Sequence, residues 1–187
     1  MNVKEAIEKR RAYRSLDPVE ISTFLIKDLG ETAQITPSCA NKQPWRFVFV
    51  EDKDKLRKLF TILSEGNRWA EKASLIIAVF SKLDNDCVVG GREYYLFDTG
   101  MAVAFILLRA TELGLVAHPI AGFDEKRAKQ ILNIPEEMRL ITLIIIGKHS
   151  KEVNPILSES MKLGEKQRPP RRPLGEFIYL NNYNQKM

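Results

Sequence analysis

The sequence predicts an α+β domain in which helices pack around one sheet. Apolar runs typical of buried strands and helical patterns follow each other irregularly, whereas a doubly wound fold would show a regular strand–helix repeat. One long helical segment, residues 92–113, is apolar over much of its circumference, which places it in the middle of the fold. The 187 residues fit a single domain, 1–187, that is large enough to bury a core.

The first elements are two helices. Asn2 is placed to cap a helix that continues to about residue 11, and Glu5 is placed for the reciprocal capping bond. The pair at residues 17–18, Asp-Pro, interrupts the chain. A second helix is then predicted over residues 22–34, where apolar side chains recur at helical spacing.

The remaining chain supplies the sheet and further helices. Short apolar runs bounded by turn signals predict strands at residues 47–50, 75–80, 140–146 and 177–180. Helical spacing predicts helices at 54–63, at 92–113 and from about 124 to 133, and Gly114 is a natural helix stop. Prolines and small polar residues predict loops at 36–45 and 118–122.

The net charge of +5 is concentrated at the two ends of the chain. Residues 1–14 carry a net charge of +3 and residues 148–187 a net charge of +4, so the middle is slightly acidic. Such an excess favours an anionic ligand or partner that is held by the chain ends.

The start of the sequence has no apolar signal-peptide core, and its longest apolar run, residues 100–108, is too short to cross a bilayer. We therefore expect a cytoplasmic protein without a membrane segment, in which Cys39 and Cys87 are reduced thiols. His118 and His149 lie far apart in sequence and no Cys/His cluster is present, so no metal site is expected.

The sequence contains no motif of a hydrolase nucleophile or of a nucleotide-binding loop. It contains no GxSxG nucleophile elbow, no P-loop and no GxGxxG fingerprint. Neither histidine has a carboxylate partner that sequence spacing would indicate. If the chain is an enzyme, we expect a bound cofactor to supply the reactivity.

Two arginine-rich segments are candidates for an anion site. Arg10, Arg11 and Arg14 follow the first helix, where they could converge on a phosphate as bidentate donors or only interact with the helix dipole. The stiff segment RPPRRP, residues 168–173, is equally compatible with a surface tail or a polyproline-like ligand for another protein.

The loop PSCANKQPW, residues 37–45, is the most distinctive stretch. It places hydroxyl and amide groups beside an indole, which suits the polar edge and apolar face of a planar ligand. Alternatively, Trp45 serves only as a core anchor for an ordinary loop. Cys39 has no nearby base in sequence, so we interpret it as a small residue and not as a nucleophile.

Three separated motifs resemble the FMN-dependent nitroreductase family and occur in the family's order. They are KRRAYRSL at 9–16, TPSCANKQPWRFVFV at 36–50 and GLVAHPIAGFDEKRAKQILNIPEE at 114–137. The tail RPPRRPLGEFI is similar to the family's closing segment, so the resemblance covers nearly the whole chain. It implies a three-layer sandwich with helices around a mostly antiparallel sheet. It also implies a homodimer that exchanges terminal segments and holds FMN at the subunit interface.

The resemblance also implies a set of cofactor-binding residues. The N-terminal arginines would meet the phosphate, ribityl chain and pyrimidine side of FMN, and a tail arginine would meet the phosphate. The proline-rich loop would come from the partner subunit, and the segment after His118 would border the isoalloxazine. The implied residues are Arg10, Arg11, Ala12, Arg14, Pro37, Ser38, Cys39, Asn41, Pro119, Ile120, Ala121, Gly122 and Arg171.

The implied function is an NAD(P)H oxidoreductase in which the flavin carries the chemistry and no side chain is catalytic. A hydride would pass from the nicotinamide to flavin N5, and a nitroaromatic or quinone acceptor would then replace the nicotinamide, in a ping-pong reaction. Flavoenzymes of the same fold that dehalogenate, fragment flavin or dehydrogenate small substrates are the alternative. A nucleic-acid-binding protein is a third hypothesis, but no RRM, zinc-finger or KH signature is present. We therefore expect a small-molecule electron acceptor and neither a nucleic-acid nor a membrane partner.

Overall fold

The computed structural model describes residues 1–186, and these form a mixed α+β fold. The helices are α1 Val3–Lys9, α2 Thr23–Gln34, α3 Lys53–Phe60, α4 Tyr94–Glu112, α5 Glu125–Leu132 and α6 Glu159–Lys166. The strands are β1 Leu16–Asp17, β2 Arg46–Val50, β3 Leu75–Ser81, β4 Val88–Val89, β5 Arg92–Glu93, β6 Val116–Ile120 and β7 Arg139–His149. Short 3₁₀ turns cover Cys39–Asn41, Glu65–Lys72, Leu83–Asn85 and Leu174–Glu176.

The main sheet is antiparallel and has the order β2–β3–β7–β6. The short strand β1 extends it by pairing with the end of β7, where Leu16 faces His149. Strands β4 and β5 form a separate hairpin. Gly90 and Gly91 connect them with φ angles of 57° and 76°, a left-handed backbone that glycine adopts without steric cost.

Each face of the sheet is covered by its own layer of helices. In β3, Ile76 and Ala78 face the layer that contains α3 and α5, whereas Ile77 and Val79 face the layer that contains α2 and α4. The alternation follows from the two-residue repeat of a strand, and burial on both faces explains why these strands are continuous apolar runs. One side of helix α4 is buried against this second face, but Leu96, Phe97 and Phe105 on its other side are exposed. The predicted position in the middle of the fold is therefore wrong for a single chain.

Two of the predicted local structures are wrong. Residues 118–122 were expected to form a loop, but β6 extends through Ile120 and pairs with β7. The strand tolerates Pro119 because β6 is an edge strand, where a missing N–H costs no ladder bond. Residues 177–180 were expected to form a strand. They instead follow a 3₁₀ turn and precede Asn181, whose φ of 60° turns the chain.

The cysteines also differ from expectation. Cys39 and Cys87 are joined in a disulfide, with Cα atoms 6.1 Å apart, so the prediction of two reduced thiols is wrong for this structure. The two residues are 48 positions apart in sequence, and only the tertiary fold brings them together. Among residues 1–186, no helix combines the length and the apolar character that a bilayer crossing needs.

His118 is a buried histidine at the centre of β6. Its side chain stacks on Trp69 with ring centroids 4.6 Å apart, and its Nδ1 lies 3.1 Å from the carbonyl oxygen of Tyr13. Burial, assisted by the charges of Arg14 and Arg10, lowers the pKa of His118 to about 4. The ring is therefore neutral at pH 7, and a proton on Nδ1 lets it donate to Tyr13.

We expect acid to destabilise the protein through His118. Between pH 6.5 and about 4, His118 takes up a proton in the unfolded chain but not in the folded one. This uptake lowers the free energy of unfolding as pH falls, by roughly 3 kcal/mol across the window. Urea denaturation from pH 8 to pH 4 measures how the free energy of unfolding changes with pH. His118→Asn keeps a side-chain N–H but does not titrate, so its slope should be shallower. Equal slopes for the two proteins would contradict the assignment.

Candidate functional site

The first part of the candidate site is the extended segment between α1 and β1, which carries the N-terminal arginines. Helix α6 holds its backbone. The carboxylate of Glu165 accepts hydrogen bonds from the backbone N–H groups of Arg14, at 2.8 Å, and Ser15, at 3.2 Å. Arg11 donates from Nη2 to the carbonyl of Gly164 at 2.7 Å. Glu165 is only 8% exposed, so these bonds lie in a mostly dry environment.

The guanidinium groups of this segment converge with those of the C-terminal tail. Burial lowers the pKa of Arg10 below its ordinary value, and the positive charges of Arg168, Arg171 and Arg11 lower it further. The salt bridges found within residues 1–186 include none to Arg10, Arg11 or Arg171. Cations that repel each other without a carboxylate between them form a site suited to an anion.

The three tail arginines have different surroundings. Arg168 donates from Nη2 to the backbone carbonyls of Glu8 and Arg10, so it closes the end of α1. Arg172 lies 3.9 Å from Glu176 and its side chain is 82% exposed. Arg171 donates from Nη1 to the carbonyl of Pro169 at 3.2 Å, and its charge, like that of Arg168, acts on Arg10. The assignment of the phosphate to Arg171 stays a prediction.

Aromatic rings support the other two N-terminal arginines. Arg11 lies 4.8 Å from the ring centroid of Tyr13, which stacks on His149 at 3.6 Å. Arg14 lies 5.9 Å from the ring centroid of Trp69. Cation–π contacts of this kind help to fix the direction of a guanidinium group. Ala12 is half-buried between these arginines and adds no polar group.

The second part of the candidate site is the loop before β2, which has an unusual backbone. Ala40, Asn41 and Gln43 have φ angles of 46°, 54° and 48°, in the left-handed region that side chains disfavour. Each such residue costs about 1–3 kcal/mol and persists only where the surroundings enforce it, which is common at ligand sites. Here the Ser38 hydroxyl accepts from the Gln43 N–H at 2.9 Å and stabilises the turn.

The ends of this loop are firmly attached to the core. The N–H of Cys39 donates to Oδ2 of Asp98 on α4 at 2.6 Å. The carbonyl of Pro44 accepts from the Ser81 hydroxyl at 2.9 Å, and Trp45 is buried. Trp45 is therefore the core anchor that the sequence left as an alternative. The exposed residues of the loop include Pro37 and Asn41, which remain available to a ligand.

The third part of the candidate site follows β6. Pro119 is half-buried and Ile120 is buried, and the Ile120 carbonyl accepts from the Thr142 hydroxyl at 2.9 Å. Ala121 is exposed. Gly122 fits closely against the turn at residues 64–67, because a Cβ atom there would meet the Asn67 amide nitrogen at 2.6 Å.

The structure brings the first and third parts together and leaves the second apart. His118 contacts the carbonyl of Tyr13, so the arginine segment lies beside β6. The loop at 36–45 leads into β2, at the opposite edge of the sheet. Three strand spacings separate the two edges, roughly 14 Å. No hydrogen bond or salt bridge in the described part of the chain joins residues 36–45 to residues 10–14.

Sequence analysis missed two buried carboxylates that position the candidate site, Glu165 and Asp98. Both accept hydrogen bonds from backbone N–H groups of predicted cofactor-binding segments. Asp98 carried a detectable signal, because it interrupts the strongly apolar helix α4. Glu165 carried none, since it lies among charged residues in a segment for which the sequence predicted no helix.

We expect Glu165→Ala to lower the free energy of unfolding by about 2–3 kcal/mol, because it leaves two buried backbone N–H groups without an acceptor. Glu165→Gln keeps one acceptor oxygen and should lose less. Glu159→Ala, on the exposed face of the same helix, is the control and should change stability by about 0.5 kcal/mol or less. Urea denaturation at pH 7 measures all three. Equal losses for Glu165→Ala and Glu159→Ala would contradict the positioning role.

Comparison with known proteins identifies relatives for this fold and site. The model of the nitroreductase family matches residues 7–87 and 67–148, which is more than half of the chain. The chain is 25% identical over 185 residues to YdgI of Bacillus subtilis, which carries the name NAD(P)H nitroreductase. That match covers 79% of this chain and 88% of YdgI.

A second relative is human iodotyrosine deiodinase 1, which is 24% identical over 177 residues. The match covers 79% of this chain but 61% of the deiodinase, so the chain spans less than two thirds of that relative. A solved oxidoreductase that contains FMN superimposes with a TM-score of 0.82 at 26% identity, over 100% of this chain and 95% of its own.

These matches confirm the expected α+β fold with its antiparallel sheet, and they confirm that the protein is an enzyme of the oxidoreductase class. All three motifs, at residues 9–16, 36–50 and 114–137, lie inside the matched ranges. By sequence and by architecture, the chain belongs to the nitroreductase family.

Proposed function

We propose that the protein is a homodimeric, FMN-dependent NAD(P)H oxidoreductase that reduces nitroaromatic, quinone or similar small-molecule acceptors. Arg10, Arg11, Arg168 and Arg171 cluster, and none of them forms a salt bridge within residues 1–186. This cluster carries the proposal. The cluster lies at the segment where the family resemblance expects the cofactor. Bound FMN would supply the hydride acceptor and donor that this chain's side chains lack.

The arginine cluster fits the charge of FMN. The phosphate of FMN carries about −1.5 to −2 charges if it behaves as an ordinary phosphomonoester. Arg10 and Arg171 would bind it, and its negative charge would offset the repulsion that adds to burial in lowering the pKa of Arg10. Arg11 would bind the ribityl chain, and Arg14 would stabilise negative charge on the pyrimidine side by Coulomb attraction in a partly dry site.

The segment after β6 would border the ring system. Asn67 donates from its amide to the Gly122 carbonyl at 3.0 Å, and this bond holds the turn. Gly122 packs against the turn at residues 64–67, whereas Ala121 is exposed and its small side chain lets a flat ligand approach the backbone closely. Neither residue ionises, which agrees with a site where the cofactor carries the chemistry.

A second copy of the chain would complete the site. Within one chain, the loop with Pro37, Ser38, Cys39 and Asn41 lies at the opposite sheet edge from the arginines. Several large apolar side chains are exposed on α2, on α4 and in the tail, and burying them in a dimer would remove apolar surface from water. They include Phe24 at 78% exposure, Phe97 at 62% and Phe177 at 56%.

The central test is flavin binding by the purified protein. We expect a yellow protein, or an apoprotein that becomes yellow with FMN and is bleached by NAD(P)H without oxygen. Arg10→Ala or Arg171→Ala should weaken FMN binding by about 10- to 100-fold, because each removes a charge-assisted hydrogen bond. Arg172→Ala is the matched control and should bind normally. A protein that never takes up FMN would overturn the proposal.

Loss of the dimer should release FMN. We expect Phe97→Asp to weaken self-association and FMN binding together, because it places a charge in the proposed interface. Sedimentation velocity with detection at both protein and flavin wavelengths measures the two effects at once. Thr61→Asp, on the opposite helical layer, should remain dimeric and yellow. A folded monomer that still binds FMN tightly would refute the shared site.

Reductive dehalogenation is the second candidate reaction, favoured by the similarity to human iodotyrosine deiodinase 1. An anaerobic panel of nitroaromatics, quinones and halogenated phenols, tested against the reduced protein, separates the two. Reoxidation by nitro or quinone acceptors supports the first reaction. Reoxidation only by halogenated phenols, with release of halide, supports the second.

A further inference from the structure

The Cys39–Cys87 disulfide adds a covalent bond between two segments that are also joined by hydrogen bonds from Ser81 and Asn85 to the Pro44 carbonyl. Cys39 lies in the loop proposed to bind FMN, and Cys87 precedes the β4–β5 hairpin. Their Cα atoms are 6.1 Å apart, within the range of about 4.4–6.8 Å that disulfides span. Both residues are half-buried, so neither is sealed in the core. The backbone can therefore hold the pair in either oxidation state.

A carboxyl group stands beside both sulfurs. One carboxylate oxygen of Asp86 and the two Sγ atoms all lie within 4.8 Å of one another. Oδ2 of Asp86 is buried and has no hydrogen-bond partner in residues 1–186. Burial and the neighbouring Asp98 raise the pKa of Asp86 above its usual range, while its bond from the Cys87 N–H and the charge of Lys42 oppose the shift.

We propose that Cys39 and Cys87 form a thiol–disulfide exchange site for small dithiols and disulfides, and that Asp86 transfers the proton this exchange requires. We further propose that the oxidation state of the pair controls how tightly the loop retains FMN. The second part rests on the proposed function, whereas the first part stands without it.

The exchange balances with a dithiol as the reductant. A thiolate of the dithiol attacks one protein sulfur, the Cys39–Cys87 bond breaks, and a mixed disulfide forms. The other protein sulfur leaves as a thiolate and takes the proton of the Asp86 carboxyl group. The proton that the first reagent thiol released on ionising then returns to the Asp86 carboxylate. The second thiol of the reagent then attacks the mixed disulfide, closes its own disulfide and releases the remaining cysteine as a thiol. Two electrons and two protons pass from the dithiol to the protein.

Opening the disulfide would loosen the loop at its most constrained point. Ala40 and Asn41, the next two residues, hold the left-handed backbone described above. After reduction, the Cys39 segment keeps its hydrogen bond to Asp98 but loses its covalent bond to Cys87. A backbone that costs energy to maintain then relaxes more readily, and the surface it presents to a ligand changes.

Thiol titration of the full chain tests the exchange itself. The native protein is equilibrated with mixtures of reduced and oxidised dithiothreitol, quenched with a maleimide and measured by intact mass. We expect a reversible transition between no free thiol and two free thiols. A disulfide that opens only under denaturing conditions, or thiols that do not pair again, would overturn the proposal. So would reduced protein that binds one equivalent of added Zn²⁺ tightly and no longer reoxidises.

The role of Asp86 is tested by exchange rates. Asp86→Asn should slow reduction by dithiothreitol about tenfold, because it removes the proton donor. The fraction oxidised at equilibrium should change little. Asp84→Asn, on an exposed residue of the same segment, is the matched control and should react at the normal rate. Equal rates for the two variants would remove Asp86 from the exchange.

FMN binding by the two oxidation states tests the second part. Cys87→Ser provides a permanently open loop without altering a residue proposed to bind FMN. We expect FMN to dissociate about fivefold more readily from this variant and from phosphine-reduced protein than from oxidised protein. Equal binding in all states would overturn the control of FMN retention. Failure of every form to bind FMN would overturn the proposed function, and the thiol titration would still decide the exchange site.

Discussion

The carboxylate of Glu165 accepts hydrogen bonds from the backbone N–H groups of Arg14 and Ser15, and this ties the last helix to the segment that carries the clustered arginines. Neighbouring guanidinium groups repel each other, and this repulsion adds to burial in lowering the pKa of Arg10. If the backbone of this segment were flexible, the repelling guanidinium groups would separate. Because the backbone is fixed, the charges stay together before any ligand arrives, and an anion would bind without first having to order them.

The sheet explains why segments that the family resemblance assigns to one site lie apart in space within one chain. The loop at 36–45 precedes β2 and the arginines lie beside β6, and these strands form opposite edges of the sheet. Two buried carboxylates on different helices, Glu165 and Asp98, each fix one half. The exposed apolar side chains on α2 and α4 give a physical reason for two copies to associate, and association can restore a complete site from the two halves.

The sequence was most informative where one local rule determined the structure. Burial on both faces made β3 and β7 recognisable as apolar runs, and the Asn2–Glu5 capping box is present as expected. The sequence was least informative where contacts between residues far apart in the chain determine the structure. Strand β6 contains a proline and depends on pairing with β7. The partner of Cys39 and the burial of Glu165 depend on the tertiary fold, which no spacing along the chain encodes.

The disulfide between Cys39 and Cys87 conflicts with the expectation from the sequence. The sequence favoured reduced thiols, whereas the structure pairs them. A pair that is half-buried, lies beside a carboxyl group of raised pKa and has a backbone compatible with bonding is accessible to exchange in both directions. In the exchange that we propose, the pair follows the redox state of its surroundings. Its position in the loop, next to Ala40 and Asn41, then places a redox-sensitive bond where the backbone is most costly to hold.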